Sequence, residues 1–251
     1  PCYSLISAFA IVMGIGGQTI VSISLGKGDK QEANNALRSV FLFLIAMSLA
    51  VSLLIYLFAG EIASFLGANA VLHGDAVGYI RALVPFFPFL CTMFFGDYII
   101  KAMGHPLYAT SVMGTTVILN IILDLVFVAI LGWGVMGAGL ATGIAFTIGA
   151  CLNVPRLFSR HEVVAVQRGR YNWRLVWNAF YNGSSEGMSE LSVAITVFLF
   201  NITMMKYLGE SGVAAFTAIN YILFIGTTIF LGVSDGIIPI IGYNHGAKKQ
   251  E

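Results

Sequence analysis

Long apolar runs alternate along the chain with short polar turns. A helix crossing about 30 Å of hydrocarbon needs about 20 mostly apolar residues, and this measure predicts seven spans, near residues 3–25, 40–60, 79–101, 107–131, 135–155, 178–206 and 215–243. The connections LGKGD, LGANA, MGHP and LGES are rich in Gly, Asp, Asn and Pro, as tight turns require. An all-α, polytopic membrane protein follows from the pattern. Two segments break the rhythm. GDKQEANNALRSV offers Asp29 as a helix cap, Glu32 three residues later, and Ala33, Ala36, Leu37 and Val40 at helical spacing, which predicts a short helix lying on the inner surface. RLFSRHEVVAVQRGRYNWR, residues 156–174, is the longest polar connection. It divides an N-terminal bundle, 1–155, from the start of a second bundle, 178–251, with a cytoplasmic linker over 156–177.

Composition fixes the solvent. Hydrophobic residues make up 58% and charged residues 10%, against about 25% charged in a soluble domain, so the surface is built for lipid. A multi-pass protein of the cell membrane, or of the inner membrane in a cell with two, is expected. The net charge of +1 implies no basic face for nucleic acid. Its distribution is more informative: with the first span running inward, the inner connections hold Lys27, Lys30, Arg38, Lys101, Arg156, Arg160, Arg168, Arg170, Arg174, Lys248 and Lys249. Only Arg81 and Lys206 fall outside, so the positive-inside rule supports both orientation and span count. Cys2, Cys91 and Cys151 have no CxxC spacing and read as small core residues. The opening PCYSLISAF, without an initiator Met or a basic leader, reads as an internal fragment.

Self-similarity tests the two-bundle division. Sliding the chain by 218 residues lays 3–30 over 221–248 with eight identical pairs, among them Gly14/Gly232, Gly28/Gly246 and Lys30/Lys248. Both copies end at the inner face and point the same way, so the repeat is parallel and its unit is six helices. The sixth span is then the first helix of the second unit.

Within NIILDLVFVAILGWGVMGAGLATG, residues 120–143, sits one carboxylate, Asp124, four residues after Asn120 and so on the same helical face. A fold at Gly132-Trp133-Gly134 makes this run a hairpin; Asp124 and Thr142, each nine residues from Trp133, come to similar depth, with Asn120 a turn further in. A carboxylate, an amide oxygen and a hydroxyl form a hard-oxygen cluster suited to sodium or to holding a proton. Intramembrane ionisable residues are functional by default.

The helix ending SLGKGDKQEA, this hairpin, and LGESGVAAFTA leading to GYNHGAKK together resemble the multidrug and toxic compound extrusion family of secondary transporters. The resemblance covers essentially the whole chain, as helices two to eight of twelve. It implies two six-helix bundles around a cavity opening alternately inward and outward, and antiport in which sodium or protons drive export of amphipathic, often cationic compounds. It also implies that Asn120, Asp124 and Thr142 belong to the first bundle's cation site. The family often carries an essential Glu in the first helix of the second bundle, where this chain has Glu186 and Glu190, four apart on one face. These two and Asp235 in GVSDG are candidates for a proton or substrate site. No cofactor beyond the coupling ion is expected, the partners are membrane lipid and a small amphipathic substrate, and the protein is expected to act as a monomer.

Other motifs read as structure. Asp97, four residues before Lys101, predicts a structural ion pair at the inner interface. GVSDG matches the G-x-S-x-G nucleophile elbow, but lies within an apolar helix with no strand before it, so no enzyme activity is expected. GVMGAGLATG lacks the dinucleotide spacing, and its Gly139xxxGly143 suits helix packing. Pro85, Pro88 and Pro239 predict kinks. A lipid-linked sugar flippase of related fold would need Arg or Lys within its cavity, and no basic residue falls mid-span. A seven-helix receptor or retinal protein is the distant alternative; a retinal protein would need a Lys in the middle of its last helix, and the seventh span has none until Lys248.

Overall fold

The computed structural model describes residues 2–65 and 73–248. Among these the chain forms eight α-helices and no strand: α1 (Cys2–Gly26), α2 (Lys30–Leu57), α3 (Ala59–Phe65), α4 (His73–Leu83), α5 (Phe87–Ala102), α6 (Pro106–Asp124), α7 (Gly134–Phe158) and α8 (Trp173–Gly246). The 3₁₀ turn Val84–Phe86 joins α4 to α5, so the predicted third span bends at Pro85. A π-helical stretch, Leu125–Ile130, extends α6 to the hairpin turn. α8 is two arms: Gly209, with φ 64° and ψ −154°, breaks it within the predicted LGES turn. That conformation is essentially open to glycine alone.

Among the described residues, six helices are long and apolar enough to cross a membrane: Ile6–Gly26, Lys30–Leu57, Ala76–Ala102, Pro106–Ile130, Gly134–Phe158 and Ala215–Gly246. The predicted span 178–206 differs. Its apolar part is the shorter Ile195–Gly209, because the first arm of α8 begins with the polar stretch NGSSEGMSE.

The surface helix expected around residues 29–40 does not exist as a separate element. Asp29 does cap, accepting from the Glu32 amide at 2.9 Å, but the helix it starts runs unbroken into α2. Nothing between Ala36 and Val40 stops propagation. Ala33, Asn34, Ala36, Leu37 and Ser39 are buried, because the linker lies over them. Asn34 Oδ1 accepts from the Ala165 amide at 2.7 Å, Ser39 Oγ accepts from the Asn172 amide at 2.8 Å, and Arg38 donates to the Gly169 carbonyl at 3.2 Å. The linker is thus a strap fixed to the first bundle. Glu162 fastens it further, accepting from Arg156 at 2.6 Å and lying 2.9 Å from His105 Nε2. Burial alone would raise the Glu162 carboxyl, but the hydrogen bonds and charges of Arg156 and His105 outweigh it and hold it below the ordinary carboxylate range.

α5 is the axis of the first bundle, packed against α1, α2, α6 and α7. Its Phe87, Leu90, Met93, Phe95, Ile99 and Ile100 are fully enclosed. In lipid such packing relies on close fit and dispersion rather than on escape from water. Small residues provide the fit: a Cβ at Gly96 would collide with Asn153, whose amide donates to the Met93 carbonyl at 3.0 Å.

α1 sits between the arms of α8. Its outer half meets the first arm where Gly16 touches the Ala179 backbone and Gly183 touches that of Val12. Its inner end crosses the second arm, where Gly26 abuts the Tyr243 carbonyl and Gly246 abuts that of Ile23. Residue 26 meets 243 while 246 meets 23, so this contact is self-complementary under an offset of 220. The helix ends agree. Lys27 N bonds to Ile23 O as Ala247 N does to Tyr243 O, and Gly28 and Lys248 share positive φ, 79° and 57°. The repeat is therefore real in space but two residues out of the register that sequence identity favours. Two residues are about 200° of helix, enough to exchange its faces. Under the offset of 220 the repeat equivalent of Asp235 is Ile15, not Gly17.

Toward the outer side the crossing helices part. A Cβ at Gly226, Gly232 or Gly236 would meet nothing within 4 Å.

Candidate functional site

The hairpin forms as expected. α6 and α7 pack along their lengths, and Gly132 and Gly134, with φ of 68° and 57°, make the turn around Trp133. Phe127 stacks on Trp133 with ring centroids 5.1 Å apart. Across the hairpin Asn120 Nδ2 donates to Thr142 Oγ1 at 3.2 Å, and Thr142 Oγ1 donates to the Ala138 carbonyl at 3.0 Å.

Depth departs from expectation by one turn. Asn120, not Asp124, is level with Thr142. The π-helical stretch beginning at the residue after Asp124 contributes to this: its wider winding advances less along the axis per residue and brings Asp124 nearer the turn. π-bulges inside α-helices are frequent at functional sites, and nothing in LVFVAI announces one.

Asp124 is half-buried, and its Oδ1 is enclosed without a hydrogen-bond partner. An unmatched carboxylate oxygen inside an apolar span, a turn of the helix beyond the Asn120–Thr142 hydrogen bond, is a group that a small hard cation or a proton can match. Tyr79 of α4 joins this group. Its ring lies against Gly139, where a Cβ would stand 3.2 Å away, and it feels the charge of Asp124. A tyrosine in an apolar helix gives no sequence signal for this role.

The second-bundle candidates fall elsewhere. Glu186 is half-buried on the face of α8 whose Gly183 and Gly187 press on Val12. Glu190 lies within α8, and its side chain is outside the described residues. Asp235 lines a separate cavity of about 1190 Å³ between α5, α6 and the second arm of α8. Asp97 and Lys101, an ion pair of 2.7 Å, line it too. No group of three or more His, Cys, Asp or Glu forms a metal cluster among the described residues.

Comparison with known proteins follows this geometry. The sequence model of the MatE family matches residues 1–126 and 187–251. The Multidrug export protein MepA of Staphylococcus aureus (strain MSSA476) is 24% identical over 251 residues, covering 99% of this chain and 55% of that protein. The chain thus spans about half the length of the curated relatives it matches. A MATE protein crystallised in complex with MaL6 superposes with a TM-score of 0.91 at 24% identity, over 97% of this chain and 55% of that one. An outward-facing multidrug resistance MATE family transporter of the MOP superfamily gives 0.90 at 23% identity, over 98% and 56%. At these identities the structures show a shared fold.

Proposed function

The chain belongs to the MatE family, and from that premise we propose that it is part of a cation-coupled antiporter that exports amphipathic, often cationic compounds by alternating access. The observation that carries the coupling is the Asp124 carboxylate, half-buried in the 25-residue span Pro106–Ile130, with Oδ1 unmatched, one helical turn from the Asn120–Thr142 hydrogen bond. A cation or proton entering there supplies the missing partner. It also ties α6 to α7, and through Tyr79 to α4.

Coupling requires that this event favour one of two arrangements of the bundles. The contacts of α1 suit such a hinge. It meets the second arm of α8 at their inner ends, through glycines, and the two diverge outward. Binding of a cation that closes the first bundle biases one state, and cargo between the bundles biases the other. Each competes with the other without sharing a site.

The reading is tested by loading proteoliposomes, made with the protein as it is encoded, with a fluorescent amphipathic cation and imposing sodium and pH gradients separately. Gradient-driven movement of the dye is expected for one of the two ions. Equal movement with and without either gradient overturns coupling.

A further inference from the structure

Among the described residues, the cavity between α5, α6 and the second arm of α8 is lined by four charged side chains. Lys30 is exposed at its rim, where water screens it. Asp97, Lys101 and Asp235 lie within. Asp97 is only 5% exposed; one oxygen accepts from Lys101 at 2.7 Å, and the other, Oδ1, is enclosed without a partner. Lys101 also lies over the Tyr98 ring, 5.5 Å from its centroid. Asp235 faces this pair from the opposite wall and feels the charges of both. Beside it, Gly232 and Gly236 line the cavity and leave its wall open, since a Cβ at either would touch nothing.

The interior therefore holds two carboxylates and one ammonium. We propose that Lys101 is a specificity-determining residue: as a resident counter-cation it occupies Asp97 and leaves one uncompensated carboxylate, Asp235, so that the cavity selects organic monocations over dications. The inference rests on the reading of the protein as an exporter of amphipathic cations and adds the charge it accepts.

The physical argument is charge matching in a half-desolvated space. An organic monocation with its charge near Asp235 brings the interior to neutrality, and its apolar body replaces water along Gly232 and Gly236. A dication adds a surplus charge that must sit near Lys101, where the low dielectric makes repulsion costly. An anionic headgroup is disfavoured, because Lys101 is already paired and Asp235 repels it.

The test is a charge series read by equilibrium binding to the purified protein. The probes are tetraphenylphosphonium and the dication in which two triphenylphosphonium groups share a butylene linker. Lys101→Met removes the ammonium that compensates Asp97 and, measured at a pH alkaline enough to keep Asp97 ionised, is expected to raise the dication-to-monocation affinity ratio by about tenfold or more. Asp97→Asn with Lys101→Met restores one negative charge without stranding a buried carboxylate, and the ratio returns to within about threefold of the unaltered protein. Asp235→Asn leaves the interior neutral, and tetraphenylphosphonium affinity falls by about tenfold or more. If all variants bind both probes with the ratio of the unaltered protein, Lys101 does not set the charge and the inference is overturned. If the unaltered protein binds neither probe, the exporter reading itself fails.

Discussion

Ser22 of α1 and Gly242 of α8 face each other where the two helices cross: a Cβ on residue 242 would stand 2.9 Å from that of Ser22. Under the offset of 220 these two residues are equivalents, so the crossing lies on the approximate two-fold axis relating the bundles. A contact at that point, at the inner ends of both helices, seals the inner side and must loosen for that side to open.

The crossing therefore predicts a reversible lock. Ser22→Cys with Gly242→Cys, in a background lacking the other cysteines, requires about 1 Å of separation to reach disulfide geometry. Oxidation is expected to form the bond and stop transport, and reduction to restore it. Transport that continues with the bond formed, as seen by a gel shift, removes the crossing from the cycle.

Gly209 predicts a local cost. Its φ of 64° and ψ of −154° are closed to residues with a Cβ, so Gly209→Ala should destabilise the protein by about 1–3 kcal/mol. Thermal unfolding in detergent measures it. An unchanged midpoint means the two arms of α8 join differently.

Both features show what the sequence could and could not convey. The turn at LGES was legible because glycine beside polar residues punctuates an apolar run. The register of the repeat was not, because stretches built mostly from Gly, Ile and Leu match by chance at several offsets. The reciprocal glycine contacts and the hydrogen bonds at the helix ends fix the offset of 220. Likewise Asp124, Asn120 and the hairpin turn were readable from spacing. The pairing of Asn120 with Thr142 was not, since it depends on how the two helices meet at the turn, to which a π-helical stretch that apolar letters conceal contributes. The continuity of α2 escaped for a related reason: polar residues at 29–39 resemble a surface helix until the strap that buries them is known. Tyr79 and the shared cavity of Asp97, Lys101 and Asp235 depend on tertiary contacts between distant segments.

The strap has a pH signature. Glu162 is held below the usual carboxylate range by Arg156 and His105, so its contribution to stability is full above its unfolded value of about 4.5 and is lost as pH falls through the lower folded value. The unfolded state binds more protons in that window, so stability rises with pH there. Glu162→Gln should cost about 1–3 kcal/mol at neutral pH and flatten this dependence. Melting curves for both proteins between about pH 3 and about pH 6 check it; parallel curves contradict the clamp.

At the hairpin, Thr142→Val removes a hydroxyl that accepts from Asn120, while its own bond to the Ala138 carbonyl is local to α7. The expected effect is a rise of about tenfold or more in the ion concentration for half-maximal transport, with helical content unchanged by circular dichroism. An unaltered ion dependence removes Thr142 from the site.

Asp124→Asn tests the account most directly. The amide keeps the size of the carboxyl but loses the charge of the carboxylate whose Oδ1 has no partner. Gradient-driven efflux of an amphipathic cation from proteoliposomes is expected to lose its response to sodium or to pH, while the protein inserts and folds normally. Ion-driven efflux at the level of the unaltered protein would contradict the central claim.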